Sequence, residues 1–308
     1  MTTFTRRTLL ATGAALPLAG LSTPRAAKAE APMMGASFAR HRRFMIGDFE
    51  VTTILAGTSP RENPQSIFGM NQTPEDFAAV SEANFLSTTV SQFFFTPTVV
   101  NTGSQLVLFD TGLNGAAMTE ALASAGYSPD QIDIVVLTHM HGDHIGGMMT
   151  DGAATFANAR YVTGQVEFDF WAGAGNEGFE ANVRPMAEQF TFLGDGDDVV
   201  TGITGLAAFG HSPGHMVYRL DSNGSGLVIF ADLANHPVWS LARPDWEVRF
   251  DADKEAAAAS RRNILGMIAA DRIPAVGYHM PFPAVGYVAP GSDGAEFRWV
   301  PEAGQLMG

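Results

Sequence analysis

The run "IDIVVL", Ile132 to Leu137, followed at once by "THMHGDHIGG", constrains this chain more than any other stretch. A short continuous apolar run without helical spacing reads as a strand, so the polar cluster behind it lies in the loop at that strand's end. Three of the chain's eight histidines, His139, His141 and His144, fall there together with Asp143. In an extended loop, side chains at i and i+2 share a side, so His139 and His141 can converge on one cation. Asp143 and His144, past the small turn residue Gly142, can address a second. The chain has no cysteine, so any such cation is held by nitrogen and oxygen alone. Zinc accepts neutral imidazole and carboxylate at about 2 Å and, in catalytic sites, keeps one position open.

The same device recurs. "GHSPGH" ends at His215 just before a strand, "LVIFADLANH" places Asp232 at a strand end, and "AVGYHMPF" places His279 after another apolar run. Around these stretches, "RFMIGDFEVTTILAG" predicts a hairpin turning at Gly47 and Asp48, and "FFFTPTVVNTGSQLVLFDTG" predicts two β-rich runs joined at Asn101 to Ser104. "AAMTEALASAGYSPDQ", "QVEFDFWAG" and "DADKEAAAASRRNILGMIAADR" predict helices, the last capped by Asp251 or Asp253. "MVYRLDSNGSGLVIFADLANH" predicts a hairpin with "SNGSG" as its loop. Strands facing strands with helices outside predict one layered α/β domain.

The N-terminal "MTTFTRRTLLATGAALPLAGLSTPRAAKAEAP" joins a twin arginine (Arg6, Arg7), a short apolar run and an A-x-A site at Ala27 to Ala29. This is the pattern of a twin-arginine secretory signal over residues 1–29, leaving 30–308 as the exported domain, periplasmic or secreted, without a membrane anchor in the mature form. The full chain carries a formal net charge of −14, and the expected signal holds four of its basic residues and none of its acids. So acidic a mature surface disfavours nucleic acid as a partner.

The ordered set "THMHGDH", "GHSPGH", "FADLANH" and "GYH" resembles the metallo-β-lactamase superfamily, whose signature begins with HxHxDH. The resemblance implies a four-layer αββα sandwich with a binuclear site, most often zinc, at one edge. It implies His139, His141 and His215 on one ion, Asp143, His144 and His279 on the other, and Asp232 bridging both. Asp110, in "LFDTG", matches a family aspartate that supports the metal loops from behind. "RPDWEVRFDADKEAAAASRRNILGMIAADR" with "GYHMPFPAVGYV" is similar to methyl parathion hydrolase and its exported relatives, several of which are lactonases or esterases with side activity on phosphotriesters. The implied chemistry is attack by a metal-bridging hydroxide on a carbonyl carbon or a phosphorus centre, with Asp143 and Asp232 as the catalytic carboxylates. Two dications outweigh these two carboxylates and a hydroxide, so a small neutral ester, lactone or phosphotriester is the expected substrate. Phe93, Phe168, Trp171 and Phe282 are candidates for its apolar pocket, and Tyr218 or Tyr278 for a donor to the oxyanion. His211 and His236 read as structural or supporting and His41 as solvated. Related chemistries fit less well. No basic cluster awaits an anionic thiol conjugate, a redox di-iron member normally carries a carboxylate in place of His141, and a nuclease sits poorly with the charge and the signal. A non-catalytic binding protein of the superfamily usually loses ligands, whereas all seven positions are filled here. A homodimer is a common assembly for soluble proteins and is compatible with this chain.

Overall fold

The computed structural model describes residues 32–306. The expected signal over residues 1–29 lies outside them. The chain divides at Ser37, and every described helix and strand belongs to the unit that begins at Phe38. Among the described residues, no helix is long and apolar enough to cross a membrane.

Two seven-stranded sheets make up the centre. The first joins His41–Ile46, Phe49–Ile54, Thr98–Asn101, Leu106–Phe109, Ile134–Val136, Arg160–Gly164 and Phe190–Leu193 in that spatial order. Its last four strands run parallel, so each returns through a crossover. The second joins Asp198–Val200, Ile203–Ala207, Met216–Ser222, Ser225–Ala231, Pro274–Gly277, Val285–Pro290 and Phe297–Pro301. The sheets bury Phe44, Val51, Val107, Phe109, Ile134, Tyr218, Leu220 and Ile229 between them. The hairpins at Gly47 and at Asn223 form as the sequence predicts, with Ile46 opposite Phe49 and Ser222 opposite Ser225.

Six α-helices among the described residues complete the fold: α1 Pro74–Ala83, α2 Gly115–Ser124, α3 Gly142–Ile145, α4 Gln165–Gly173, α5 Glu177–Asn182 and α6 Lys254–Asp271. Met118 and Leu122 of α2 cover the outer face of the first sheet through Val99, Leu108 and Val135. Ile264, Leu265 and Ile268 of α6 cover the second through Val217, Val228 and Phe230. The result is a four-layer αββα sandwich. Asp253, not Asp251, caps α6 by accepting from the Ala256 amide. Phe93–Phe95 leave the main sheets altogether: Val90–Phe95 pairs with Gly57–Glu62 in a separate two-stranded sheet that lies with Phe68, Phe77, Trp239 and Trp246.

Candidate metal centre

The site collects where the central strands end. Ile134–Val136 leads to His139, His141, Asp143 and His144, Ile203–Ala207 to His211, Ser225–Ala231 to Asp232, and Pro274–Gly277 to His279. Ala231 sits in the left-handed region at φ 46° and Asp110 at φ 60°. For non-glycine residues this conformation costs on the order of 1 kcal/mol, and such strain concentrates at functional sites. The glycines after the cluster have a packing role. A Cβ on Gly147 would stand 1.9 Å from the Thr111 carbonyl oxygen, so only glycine lets this loop close on the "LFDTG" loop.

Two groups of donor atoms face one another. In the first, His139 Nε2 lies 3.0 Å from His141 Nδ1, which lies 3.1 Å from His211 Nε2. Tetrahedral zinc with nitrogen ligands near 2.05 Å needs an edge of about 3.3 Å, so this triangle fits such an ion. In the second, His279 Nε2 lies 3.3 Å and His144 Nε2 3.7 Å from Asp143 Oδ2. Asp232 spans both groups: Oδ1 is 3.2 Å from His144 Nε2, and Oδ2 is 3.3 Å from His211 Nε2 and 3.2 Å from His279 Nε2. His144 Nε2 and Asp232 Oδ1 are buried with no hydrogen-bond partner. Orphaned polar atoms of this kind call for a ligand, and the donor set fits two divalent cations.

The imidazoles of the cluster are oriented from behind, as those of metal-binding histidines generally are. His279 Nδ1 donates to the Phe94 carbonyl at 2.7 Å and His211 Nδ1 to Asp251 at 3.0 Å. His144 Nδ1 stands 2.9 Å from Asp110 Oδ2. Asp110 also accepts from the Thr138 amide and hydroxyl, which fixes the start of the histidine loop. Asn235 donates from Nδ2 to Asp232 Oδ2 at 2.8 Å.

Charge inside the cluster is finely divided. Burial opposes protonation of His211, yet hydrogen bonds to Asp232 and Asp251 carry it up to about 9. Burial opposes His279 as well, and Asp232 and Asp143 raise it to about 10. His144 rises in the same way beside Asp232 and Asp110. Burial and the neighbouring His211 take His141 down to about 3, and burial with His144 and His141 lowers His139. Against its own desolvation, Asp143 falls to about 2 beside His144 and His279. The carboxylates thus favour the protonated forms of His144, His211 and His279.

His215 is not among these donors. Its Nδ1 donates to the Ala208 carbonyl at 3.2 Å and its Nε2 accepts from the Asp232 amide at 3.3 Å, so both nitrogens are committed to backbone. His211, four residues earlier in the same "GHSPGH" loop, takes the position that the sequence assigned to His215. His236 caps the turn at Pro237–Leu241 by accepting from the Val238 and Trp239 amides.

A cleft of about 370 Å³ opens over the site, lined by Phe93, Phe95, Leu113, Phe250 and Arg61 above His141, Asp143, His211, Asp232 and His279. Of the sequence candidates for its wall, Phe93 is present. Phe168 instead packs on Phe179, Phe190 and Phe192, because its place on α4 turns it toward the end strand of the first sheet. Trp171 meets His141 edge-on at 5.7 Å and donates from Nε1 to Ser212, so it backs His141 and does not line the cleft. Phe282 is absent from the lining, since the chain reverses after His279, with the Ala284 amide bonded to the Pro281 carbonyl. Tyr278 donates to the Asp143 carbonyl at 2.5 Å, and Tyr218 is buried against Phe109 between the sheets, so neither hydroxyl is open to a substrate oxyanion here. Phe95, in the same run Phe93 to Phe95, lines the wall as well, whereas Leu113, Phe250 and Arg61 escaped the sequence reading. No local pattern marks a cleft wall assembled from segments so far apart.

The family model described as the metallo-beta-lactamase superfamily matches residues 96–275. The chain belongs to the metallo-β-lactamase superfamily. Among curated members, the N-acyl homoserine lactonase of Bacillus cereus is 32% identical over 108 residues, 35% of this chain and 40% of that protein. N-acyl homoserine lactonase AiiA of Bacillus thuringiensis subsp. kurstaki matches with the same identity and coverage. The chain thus spans about two-fifths of the length of these relatives. Among solved structures, AidC, a dizinc quorum-quenching lactonase in complex with a product, superposes with a TM-score of 0.78 at 24% identity, covering 85% of this chain and 97% of that one. The hydrolase AbOPH gives the same score and identity over 87% and 99%. At that identity both report the shared sandwich.

Proposed function

We propose that this chain is a hydrolase of small neutral lactones or esters with two zinc ions as its resident cofactor. The observation that carries the reading is Asp232, whose carboxylate spans two histidine clusters on the floor of a cleft walled by phenylalanine. Bound by these histidines and carboxylates, two divalent ions would lower the pKa of water toward neutrality and polarise a carbonyl oxygen. The protein's own contribution is arrangement. Phe93, Phe95, Leu113 and Phe250 take an apolar acyl group and keep bulk water off the reacting bond. Asp143 keeps 23% of its side chain exposed, against 4% for Asp232. It is therefore the carboxylate placed to take a proton from the attacking water and return it to the departing alkoxide. The lactonase names of the curated relatives support the substrate class.

The test is the ratio of kcat/KM on a long-chain lactone to kcat/KM on a neutral phosphotriester, measured on zinc-loaded protein. A ratio far above one is expected. A ratio far below one replaces this reading with a phosphotriesterase using the same site. We further propose export by the twin-arginine route, on the strength of Arg6, Arg7 and the Ala27–Ala29 site. Fractionation of cells expressing the R6K/R7K variant checks it, and unchanged export would reject that route.

A further inference from the structure

Glu167 is fully buried, on the first turn of α4, and belongs to none of the ligand groups. A buried carboxylate is expensive unless its oxygens are satisfied, and here the partners are specific. Oε1 accepts from the Met140 amide at 2.9 Å and from the Ser212 hydroxyl at 2.5 Å. Oε2 accepts from the Gly214 amide at 2.8 Å. Met140 lies between His139 and His141, whereas Ser212 and Gly214 follow His211. One side chain therefore ties together the two loops that supply the first donor triangle, and its hydrogen bonds go to these loops and not to Asp143, His144 or His279. Trp171, one turn along α4, donates to the same Ser212 hydroxyl and packs on His141. The backbones themselves touch: a Cβ on Gly214 would fall 2.1 Å from the Glu167 nitrogen and 2.5 Å from its Cα. The helix N-terminus favours the negative charge so placed.

We propose that Glu167 is a positioning residue that sets the distance between the His139/His141 loop and the His211 loop, and so selectively tunes affinity for one of two metal ions. The inference rests on the two-ion reading of the site but not on the choice of substrate. A Gln at 167 keeps the shape, but its amide nitrogen must face one of the amide or hydroxyl donors, so one loop is released. Groups that orient metal ligands typically govern affinity by 10–100-fold, and that is the expected loss for one ion, with the other unchanged.

The experiment is a competition titration of metal-stripped protein with zinc against a chromophoric chelator, repeated with cobalt to follow its absorption. In E167Q, one of two zinc affinities should fall by at least about tenfold, with an altered cobalt spectrum for that site. The H211A variant removes the first site directly. E167Q added to H211A should therefore leave the remaining affinity where it was. Should E167Q fail to fold, S212A removes one of the three donors and should give a smaller loss confined to the same site. Unchanged affinities in E167Q, equal weakening of both sites, or a further loss in the double variant would overturn the assignment. So would two unchanged sites in S212A. Failure to turn over lactones would bear on the proposed function alone, since zinc affinity is read without substrate.

Discussion

Replacing Asp251 with Asn separates what holds the metal centre from what holds the fold. Asp251 is 3% exposed; Oδ1 accepts from His211 Nδ1 at 3.0 Å, and Oδ2 meets Arg261 Nη1 at 2.9 Å. Arg261, itself 1% exposed on α6, has its Nε on the Pro244 carbonyl at 2.8 Å. An Asn oxygen can serve only one of these cations or donors, and its nitrogen opposes the other. Leaving a buried charge without its partner costs about 3–5 kcal/mol, a fall in Tm on the order of 10 °C for a domain of this size. Separately, His211 loses the acceptor that aims its Nε2 at the site, for an expected 10–100-fold loss of affinity for one zinc ion. Thermal melts of the metal-stripped protein read the first effect, and chelator competition the second. In D251N/R261M the stranded cation is gone, so most of the stability should return while the zinc affinity stays low. If zinc affinity recovered along with stability, or never fell in D251N, Asp251 would not be acting through His211.

His211→Ala should bind one zinc ion fewer than the wild type, whereas His215→Ala should keep both and lose about 1–3 kcal/mol by stranding the buried Asp232 amide. Metal counting by elemental analysis decides this, and the opposite pattern would restore His215 as the ligand. The metal-free protein should be most stable near pH 6.5. His211 and His279, raised to about 9 and 10 from 6.5, stabilise fully below pH 6.5 and lose that contribution as pH climbs through their folded values. His141 and His215, lowered to about 3, make the fold less stable as pH drops from 6.5 toward 3. Melts that kept rising toward pH 9 would contradict this division. Zinc binding at neutral pH must displace the protons on His211 and His279, so calorimetry in buffers of different ionisation enthalpy should report at least two protons released, with affinity growing as pH rises. Finally, Phe250→Ala should raise KM for a long-chain lactone several-fold with little change in kcat, and an unchanged KM would place the acyl group elsewhere.

Much of the architecture was legible because it is written in local pattern. The hairpins around Gly47 and Asn223, helices α2, α4 and α6, and the apolar strand before His139 each follow from residues adjacent in the chain. The HxHxDH loop is legible for the same reason: a short extended segment places its own side chains relative to one another. Asp232 and His279 could be found because each ends an apolar run, and Asp110 because "LFDTG" matches the family pattern.

Where two residues compete for one role, local pattern is silent. His211 and His215 occupy one loop, and Asp251 and Asp253 one helix start. In each pair the choice depends on a partner distant in sequence. The Ala208 carbonyl and the Asp232 amide claim both nitrogens of His215 and so leave His211 to the site. Arg261 and His211 claim Asp251 and leave Asp253 to cap the helix. The cleft is the extreme case, its walls drawn from residues 61, 93, 95, 113 and 250. Sequence by itself determined the strands, the ligand types and the family, because these depend on neighbours along the chain. Tertiary structure alone decided which histidine joins the donor cluster and which rings line the cleft, because a side chain's role there depends on what folding brings against it.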